Sequence, residues 1–174
     1  VDNVFLGSYA GRCNDGSYNI FLGINSGKGS STVCCNTAGH NIAIGESAGC
    51  GLLTGCSNVF LGMYAGKGNS TGNFNVILGH RASANCNITG SCNLSIGYYS
   101  AACLTSGTDN IFLGRYAGCS TSDNDTNIFI GLEAGKCSNS ARNILIGPFA
   151  GKGSISVSNN TGADNIAIGC HSGC

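Results

Sequence analysis

The chain has 174 residues, zero formal net charge at pH 7 and only 9% charged residues, whereas 42% of its residues are hydrophobic. This combination excludes an intrinsically disordered chain, which requires low hydrophobicity and high net charge. With only eight Lys and Arg, we expect no basic patch and no nucleic-acid partner. No apolar run approaches the roughly 20 residues of a membrane-spanning helix, so we expect no membrane insertion.

A five-residue phrase recurs along the whole chain: Asn, an apolar residue, a variable residue, an apolar residue and Gly. Its ten copies begin at Asn3, Asn19, Asn41, Asn58, Asn75, Asn93, Asn110, Asn127, Asn143 and Asn165. We number each copy from this Asn as position 0. The intervals of 16 to 22 residues are too short for ankyrin or TPR repeats and fit one coil of a β-solenoid. The sequence therefore predicts an all-β fold, a parallel β-solenoid or β-roll of about ten rungs, as one continuous repeat domain over residues 1–174.

Within each rung, positions 1 and 3 are always Val, Ile or Leu, and position 2 is mostly apolar. Because alternate residues of a strand point to the same face, we expect positions 1 and 3 to line the interior. Position 2 would then face outwards and expose a ladder of aromatic rings: Phe5, Phe21, Phe60, Phe112 and Phe129. A soluble monomer rarely exposes such a patch, so we expect these residues to pack between copies of the chain.

Two further positions are nearly invariant along the repeat. Gly occupies position 4 in every rung, from Gly7 to Gly169, which predicts a corner with positive φ or a close backbone approach. The stacked Asn residues either form a side-chain amide ladder along the solenoid or are simple turn residues ahead of each strand. The polar linkers predict turns and a short second strand in each rung.

A longer repeat lies above the rung repeat. Residues 27–50 and 151–174 share the pattern GKGS…NIAIG and are offset by 124 residues, which corresponds to seven rungs. The sequence begins and ends inside the pattern, without the polar caps that solenoids usually carry. We therefore expect a segment of a longer fibrous protein, or a subunit that stacks end to end with its neighbours.

All twelve Cys residues are disulfide candidates: Cys13, Cys34, Cys35, Cys50, Cys56, Cys86, Cys92, Cys103, Cys119, Cys137, Cys170 and Cys174. Several recur nine to eleven residues after their Asn, so bridges between neighbouring rungs are one arrangement. Pairs six residues apart, such as Cys50 with Cys56, could instead close one turn. Buried free thiols are the alternative to both arrangements. Clusters such as Cys34-Cys35 with His40 match no established zinc pattern, so we expect no metal site.

No motif of nucleophilic, phosphate-binding or metalloprotease chemistry occurs, so we expect neither catalysis nor a cofactor. The closest acidic pair, Asp123 and Asp125, indicates a solvated turn rather than a Ca²⁺ site. Four Tyr residues recur at position 6, which suggests packing between chains or, alternatively, a sugar-binding rim. They are Tyr9, Tyr64, Tyr99 and Tyr116.

The pattern N-[VI]-x-[LI]-G-x-x-[AS]-G, with linkers such as Asn69-Ser70-Thr71-Gly72-Asn73, resembles the repeats of phage tail fibres and of trimeric adhesin heads. The resemblance covers the whole chain and implies a homotrimeric, extracellular fibre on a virion or cell surface. Adhesin-head rungs are shorter, and neither family is usually so rich in Cys.

We therefore expect a structural or adhesive fibre segment, stabilised by rung stacking and disulfides. Its expected partners are copies of itself, as a lateral trimer, end to end or both, together with a possible cell-surface glycan or receptor. The alternatives are a self-assembling extracellular filament subunit and a Cys-rich solenoid that binds metal or carbohydrate.

Overall fold

The computed structural model describes residues 1–29, 36–84, 87–153 and 162–173, and these form one parallel β-solenoid. Ten three-residue strands, one for each Asn phrase, pair in chain order into a single ten-stranded parallel sheet. The strands are β1 (Val4–Leu6), β2 (Ile20–Leu22), β3 (Ile42–Ile44), β4 (Val59–Leu61), β5 (Val76–Leu78), β6 (Leu94–Ile96), β7 (Ile111–Leu113), β8 (Ile128–Ile130), β9 (Ile144–Ile146) and β10 (Ile166–Ile168). The register keeps each position opposite its equivalent, as in Ile111↔Ile128. The predicted fold class is confirmed.

The assignment of faces from the sequence is wrong. Position 2 points into the coil: Phe21, Phe60, Phe112 and Phe129 are completely buried, and only Phe5, in the first rung, is 39% exposed. Positions 1 and 3 point outwards. A Phe ring at position 2 fills the coil's centre, so the ring is removed from water within its own chain. The four buried Phe residues are therefore not available for packing between chains, and Phe5 stacks on Phe21 at the end of the coil.

The interior is narrow and is built from a few columns. Neighbouring rings stack along the axis, with 5.0 Å between the ring centroids of Phe5 and Phe21 and 5.4 Å between those of Phe112 and Phe129. Small residues at position 7 pack beside the rings. Ala65 is an example, and its side chain is completely buried. The buried apolar residues form two separate clusters, one over the first five rungs and one over the later rungs.

The Asn residues form the predicted amide ladder. In each rung after the first, the Asn backbone N–H donates to the Oδ1 atom of the preceding Asn, at N–O distances of 2.8 to 3.1 Å. In most rungs the side-chain Nδ2 also donates to a linker carbonyl, as from Asn58 to Gly72 at 2.8 Å. The eight Asn from Asn19 to Asn143 are buried, so the ladder satisfies amide groups that could not reach water.

Gly at position 4 has the positive φ that the sequence predicts, and the backbone of the next rung also lies too close for a Cβ at this position. Gly114 has a φ of 138°, and a Cβ there would lie 2.4 Å from the carbonyl oxygen of Gly131. Since that oxygen belongs to the backbone of the next rung, a side chain at this corner would force the rungs apart.

The predicted second strand is absent from the described residues. The return path of each rung stacks on the next through backbone hydrogen bonds, with only two isolated parallel bridges, Asn14↔Asn36 and Asn69↔Ile88.

Asp123 and Asp125 join the linkers of two neighbouring rungs by hydrogen bonds. Asp123 accepts hydrogen bonds from the hydroxyls of Thr105 and Ser106, and Asp125 accepts one from the Thr108 amide at 2.7 Å.

Candidate functional site

The outer face of the sheet is entirely aliphatic. We call outer face the twenty side chains at positions 1 and 3 of β1 to β10, all of which are Val, Ile or Leu. They are partly exposed along the middle of the solenoid, as with Leu113 at 39%, and more so at its ends, as with Leu6 at 71%. No charged residue lies among them. A continuous apolar strip of this kind is a candidate surface for contact with another apolar surface.

One edge of the outer face is aromatic and basic. Residues at positions 5 and 6 of successive rungs stack, because the position 6 amide donates to the position 5 carbonyl of the rung before, as from Tyr116 to Tyr98 at 3.0 Å. The Tyr residues at position 6 therefore share one corner. Their rings interleave with His80, which stacks on Tyr98 at 5.4 Å, while Tyr99 stacks on Tyr116 at 5.6 Å between centroids.

Cations cover these rings. The Arg81 guanidinium lies between Tyr64 and Tyr99, 5.4 and 5.6 Å from their centroids, and donates to the Tyr99 hydroxyl. The Lys67 ammonium lies 5.1 Å from the Tyr64 centroid. A shallow cleft of about 160 Å³ is lined by Tyr64, Lys67, Arg81 and Ala84. Stacking of this kind holds the long side chains close to the corner.

The basic residues are not scattered along the chain. Seven of the eight Lys and Arg occupy positions 5, 6 or 9, and we call this edge of the outer face the basic corner. Its cations are Arg12, Lys28, Lys67, Arg81, Arg115, Lys136 and Lys152. The expectation that so few cations form no basic patch is therefore wrong. The corner also holds two acids: Glu46 accepts a hydrogen bond from Tyr64, and Glu133 pairs with Lys152 at 2.9 Å and with Lys136 at 3.4 Å.

Six of the eight acidic residues lie on the other side of the strand, one to four residues before the rung Asn. We call this the acidic corner, formed by Asp2, Asp15, Asp109, Asp123, Asp125 and Asp164. Its single cation, Arg142, is bound by Asp164 at 2.6 Å. Hydrogen bonds from Thr105 and Ser106 lower the pKa of Asp123, and Arg142 lowers the pKa of Asp164. Asp123 and Asp164 are therefore charged at neutral pH.

The cysteines at positions 9 and 10 share the side of the solenoid that carries the basic corner. The Cys103 amide donates to the Cys119 carbonyl at 3.1 Å, so these residues occupy adjacent rungs. Burial raises the pKa of the Cys119 thiol, and the neighbouring Cys103 and Cys137 add to that effect. Burial likewise raises the pKa of Cys50, against the opposing influence of Lys67. Raised pKa values keep these groups as thiols at neutral pH.

The disulfides stay a prediction. In the described part of the chain the structure contains free thiols at Cys13, Cys50, Cys56, Cys92, Cys119, Cys137 and Cys170. The candidates Cys34, Cys35, Cys86 and Cys174 lie outside the described residues. Cys34 and Cys35 are also the partners that His40 would need for the metal cluster considered from the sequence. In the described ranges, no three His, Cys, Asp or Glu side chains gather closely enough to hold a metal ion.

The three His residues stack on rings instead. His40 lies 4.9 Å from Tyr18, and His171 lies 4.7 Å from Phe149, between ring centroids.

No described segment forms a helix of the length and hydrophobicity that a membrane crossing requires. Comparison of the chain with protein-family models, curated proteins and solved structures gives no match.

Proposed function

We propose that this chain is a structural segment of an extracellular fibre, in which copies of the chain associate side by side through the outer face. The observation that carries the proposal is the unbroken aliphatic strip along all ten strands. At about 4.8 Å per rung and two strand positions across, the strip measures on the order of 43 by 10 Å. Its size reaches the few hundred Å² that monomers seldom expose.

The interior supports a mechanical role. Backbone hydrogen bonds, the buried Asn ladder and stacked Phe rings join each rung only to its neighbours. Solenoids of this type gain stability by adding identical rungs and extend without limit along one axis. A stiff rod with one adhesive face suits a shaft. The resemblance to tail-fibre and adhesin-head repeats supports a trimer on a virion or cell surface, with disulfides as additional cross-links.

The proposal is tested by native mass spectrometry and electron microscopy of the purified 174-residue chain. We expect a mass three times the 17.5 kDa of one chain and straight rods. Leu113→Lys with Ile130→Lys places two charges on the outer face without touching the core, and should yield single chains. As a matched control, Asn87→Lys with Ser120→Lys adds the same charge at exposed linker positions outside both flanking edges of the sheet and should leave the assembly intact. A wild-type chain that remains single at high concentration would refute the proposal.

Carbohydrate binding is a second candidate, favoured by the cleft at Tyr64, Lys67 and Arg81. Aromatic rings offer apolar faces to sugar rings, and the two cations would attract an acidic sugar. A glycan array tests this role: binding that is lost in Arg81→Gln but retained in Arg142→Gln, on the opposite corner, would support it. An array without any bound glycan would exclude it.

A further inference from the structure

We propose that neighbouring copies pack with their outer faces together and their solenoid axes pointing the same way, so that the basic corner of one copy meets the acidic corner of the next. This inference rests on the proposed side-by-side association and adds its orientation. It follows from the distribution of charge about the outer face and from symmetry.

The two corners border the outer face directly. In the seventh rung, Asp109 lies two residues before Ile111 and Arg115 lies two residues after Leu113. The same order holds in the first, second and eighth rungs, and the strands are in register with flanking turns that stack on one another. An aliphatic strip therefore runs the length of the rod, and in these four rungs it has negative charge at one edge and positive charge at the other.

Each corner also carries a residue of the opposite charge that is neutralised within its own chain. Arg142, the cation on the acidic corner, is bound by both carboxylate oxygens of Asp164. Glu133, on the basic corner, lies between Lys136 and Lys152. The charges left for a neighbour are therefore of one sign on each corner, apart from Glu46.

Symmetry then selects the orientation. A two-fold axis parallel to the solenoid turns one copy to face the other and exchanges the edges, so that opposite charges meet along both sides. A two-fold axis parallel to the strands, and so perpendicular to the rod, reverses the second rod but keeps the edges, so that like charges meet along both sides. Self-association of identical chains uses closed symmetry of this kind. A higher-order ring with its axis along the rods also places unlike edges together.

The apolar strip and the charged corners are both needed for a stable interface. An apolar strip of this width alone gives less than the roughly 1,000 Å² of total buried surface expected of a stable interface. Complementary corners extend the contact on both sides and fix its direction, which is the usual role of charge at interfaces. A neighbour in register would bring Lys28 to the level of Asp15 and Lys136 to the level of Asp125.

Two measurements on the 174-residue chain test the orientation. The first is zero-length carbodiimide cross-linking of a mixture of ¹⁴N- and ¹⁵N-labelled chains, in which mixed-isotope peptides identify bonds between copies. Parallel packing predicts links between Lys28 and Asp15 and between Lys136 and Asp125. Reversed packing would bring basic corners together and link Lys28 to Glu133, which would overturn the inference while leaving side-by-side association in place.

The second measurement is the salt dependence of association. Complementary corners predict a dissociation constant that rises with ionic strength, whereas like corners predict one that falls. Arg115→Glu, at the level of Asp109 of a neighbour in register, should weaken association about tenfold at low salt, since it turns an attraction into a repulsion at both edges. The substitution is compatible with the fold, because Glu46 occupies the equivalent position in another rung.

A matched variant restores the interaction. Asp109→Arg reverses the charge opposite Arg115→Glu, at the position that Arg142 holds in its own rung, with φ values of 58° and 59°. An equimolar mixture of the two reversed chains should associate as tightly as the wild type. If the wild-type chain stays single at every salt concentration and the basic corner instead retains dextran sulfate, the corner serves a polyanion and the inference is overturned.

Discussion

The rungs filled by Phe and the rung centred on Ser95 use the same interior space in different ways. Where position 2 is Phe, position 8 is Gly, and a Cβ there would meet the ring: at Gly118 it would lie 2.5 Å from the Phe112 ring. In the sixth rung position 2 is Ser95 and position 8 is Ala101. The volume of the coil is thus shared between these two positions, and a large side chain at one requires none at the other.

The Ser95 rung also changes the chemistry of the core. Its hydroxyl lies 3.2 Å from that of Ser83 and 3.4 Å from that of Ser100, which donates to the carbonyl of Phe112 at 3.1 Å. All three hydroxyls are buried and have partners, so the rung is satisfied without a ring. The two apolar clusters separate near this point. A polar layer therefore divides the solenoid core into two parts.

Removing a ring should have the largest effect. Phe112→Ala leaves a cavity between Phe129 and the serine layer, and should lower the free energy of unfolding by about 3–5 kcal/mol. The matched control is Ile111→Ala on the outer face, where the partly exposed side chain contributes less, about 1–2 kcal/mol. Denaturant unfolding followed by circular dichroism measures both. Equal losses for the two variants would contradict the inward orientation of position 2.

Adding a methyl group beside a ring should have the second-largest effect on the free energy of unfolding. Gly118→Ala places a Cβ at a φ of 57° and against Phe112, so we expect a loss of about 2–4 kcal/mol from backbone strain and overpacking. The reverse change in the serine rung, Ala101→Gly, starts from a φ of 48° and should alter stability by less than about 1 kcal/mol. A loss in Gly118→Ala matched by an equal gain in Ala101→Gly would show that φ, rather than the ring, determines the choice of Gly.

Converting the serine rung into a Phe rung is the third test. Ser95→Phe alone should destabilise the chain by about 1–3 kcal/mol, because Ala101 occupies the space that the ring needs and Ser83 loses its partner. Adding Ala101→Gly and Ser83→Gly removes both conflicts and should raise stability above that of the single variant by about 2 kcal/mol. A triple variant no more stable than Ser95→Phe would mean that the interior is not shared between positions 2 and 8.

The sequence predicts the rung count, the strand positions, the parallel sheet and the Gly corners, because each follows from a residue that recurs at a fixed interval. It does not predict which face of the strand lies inside. With apolar residues at positions 1, 2 and 3, alternation is equally consistent with both orientations. The deciding signal is the exchange between positions 2 and 8, visible at Ser95 with Ala101 and at Ile77 with Ser83, and it requires knowing that these positions meet.

The charged corners are also hidden from composition. A net charge of zero describes the whole chain, whereas counting from each Asn shows that five cations occupy position 9, among them Lys67 and Lys136. Their approach to the Tyr rings depends on turns in which position 6 takes a left-handed φ, such as 59° at Tyr116. Few residues other than Gly, Asn and Asp adopt that conformation readily, so the turn could not be predicted from its side chain.

The smallest effect concerns charge at the corner of a Phe-filled rung rather than its core. Hydrogen bonding to Lys152 lowers the pKa of Glu133 from its ordinary value of 4.5, and Lys136 adds to the effect. Because the pKa is lower in the folded chain, this carboxylate stabilises the fold above about pH 4.5 and loses that contribution as the pH falls through the folded pKa. Glu133→Gln should therefore reduce stability by roughly 0.3–1 kcal/mol at pH 7, and the difference from wild type should shrink in acid. Lys152→Gln should cost little more in the Glu133→Gln background, and fully additive losses in this double-mutant cycle would show that the pair is not coupled.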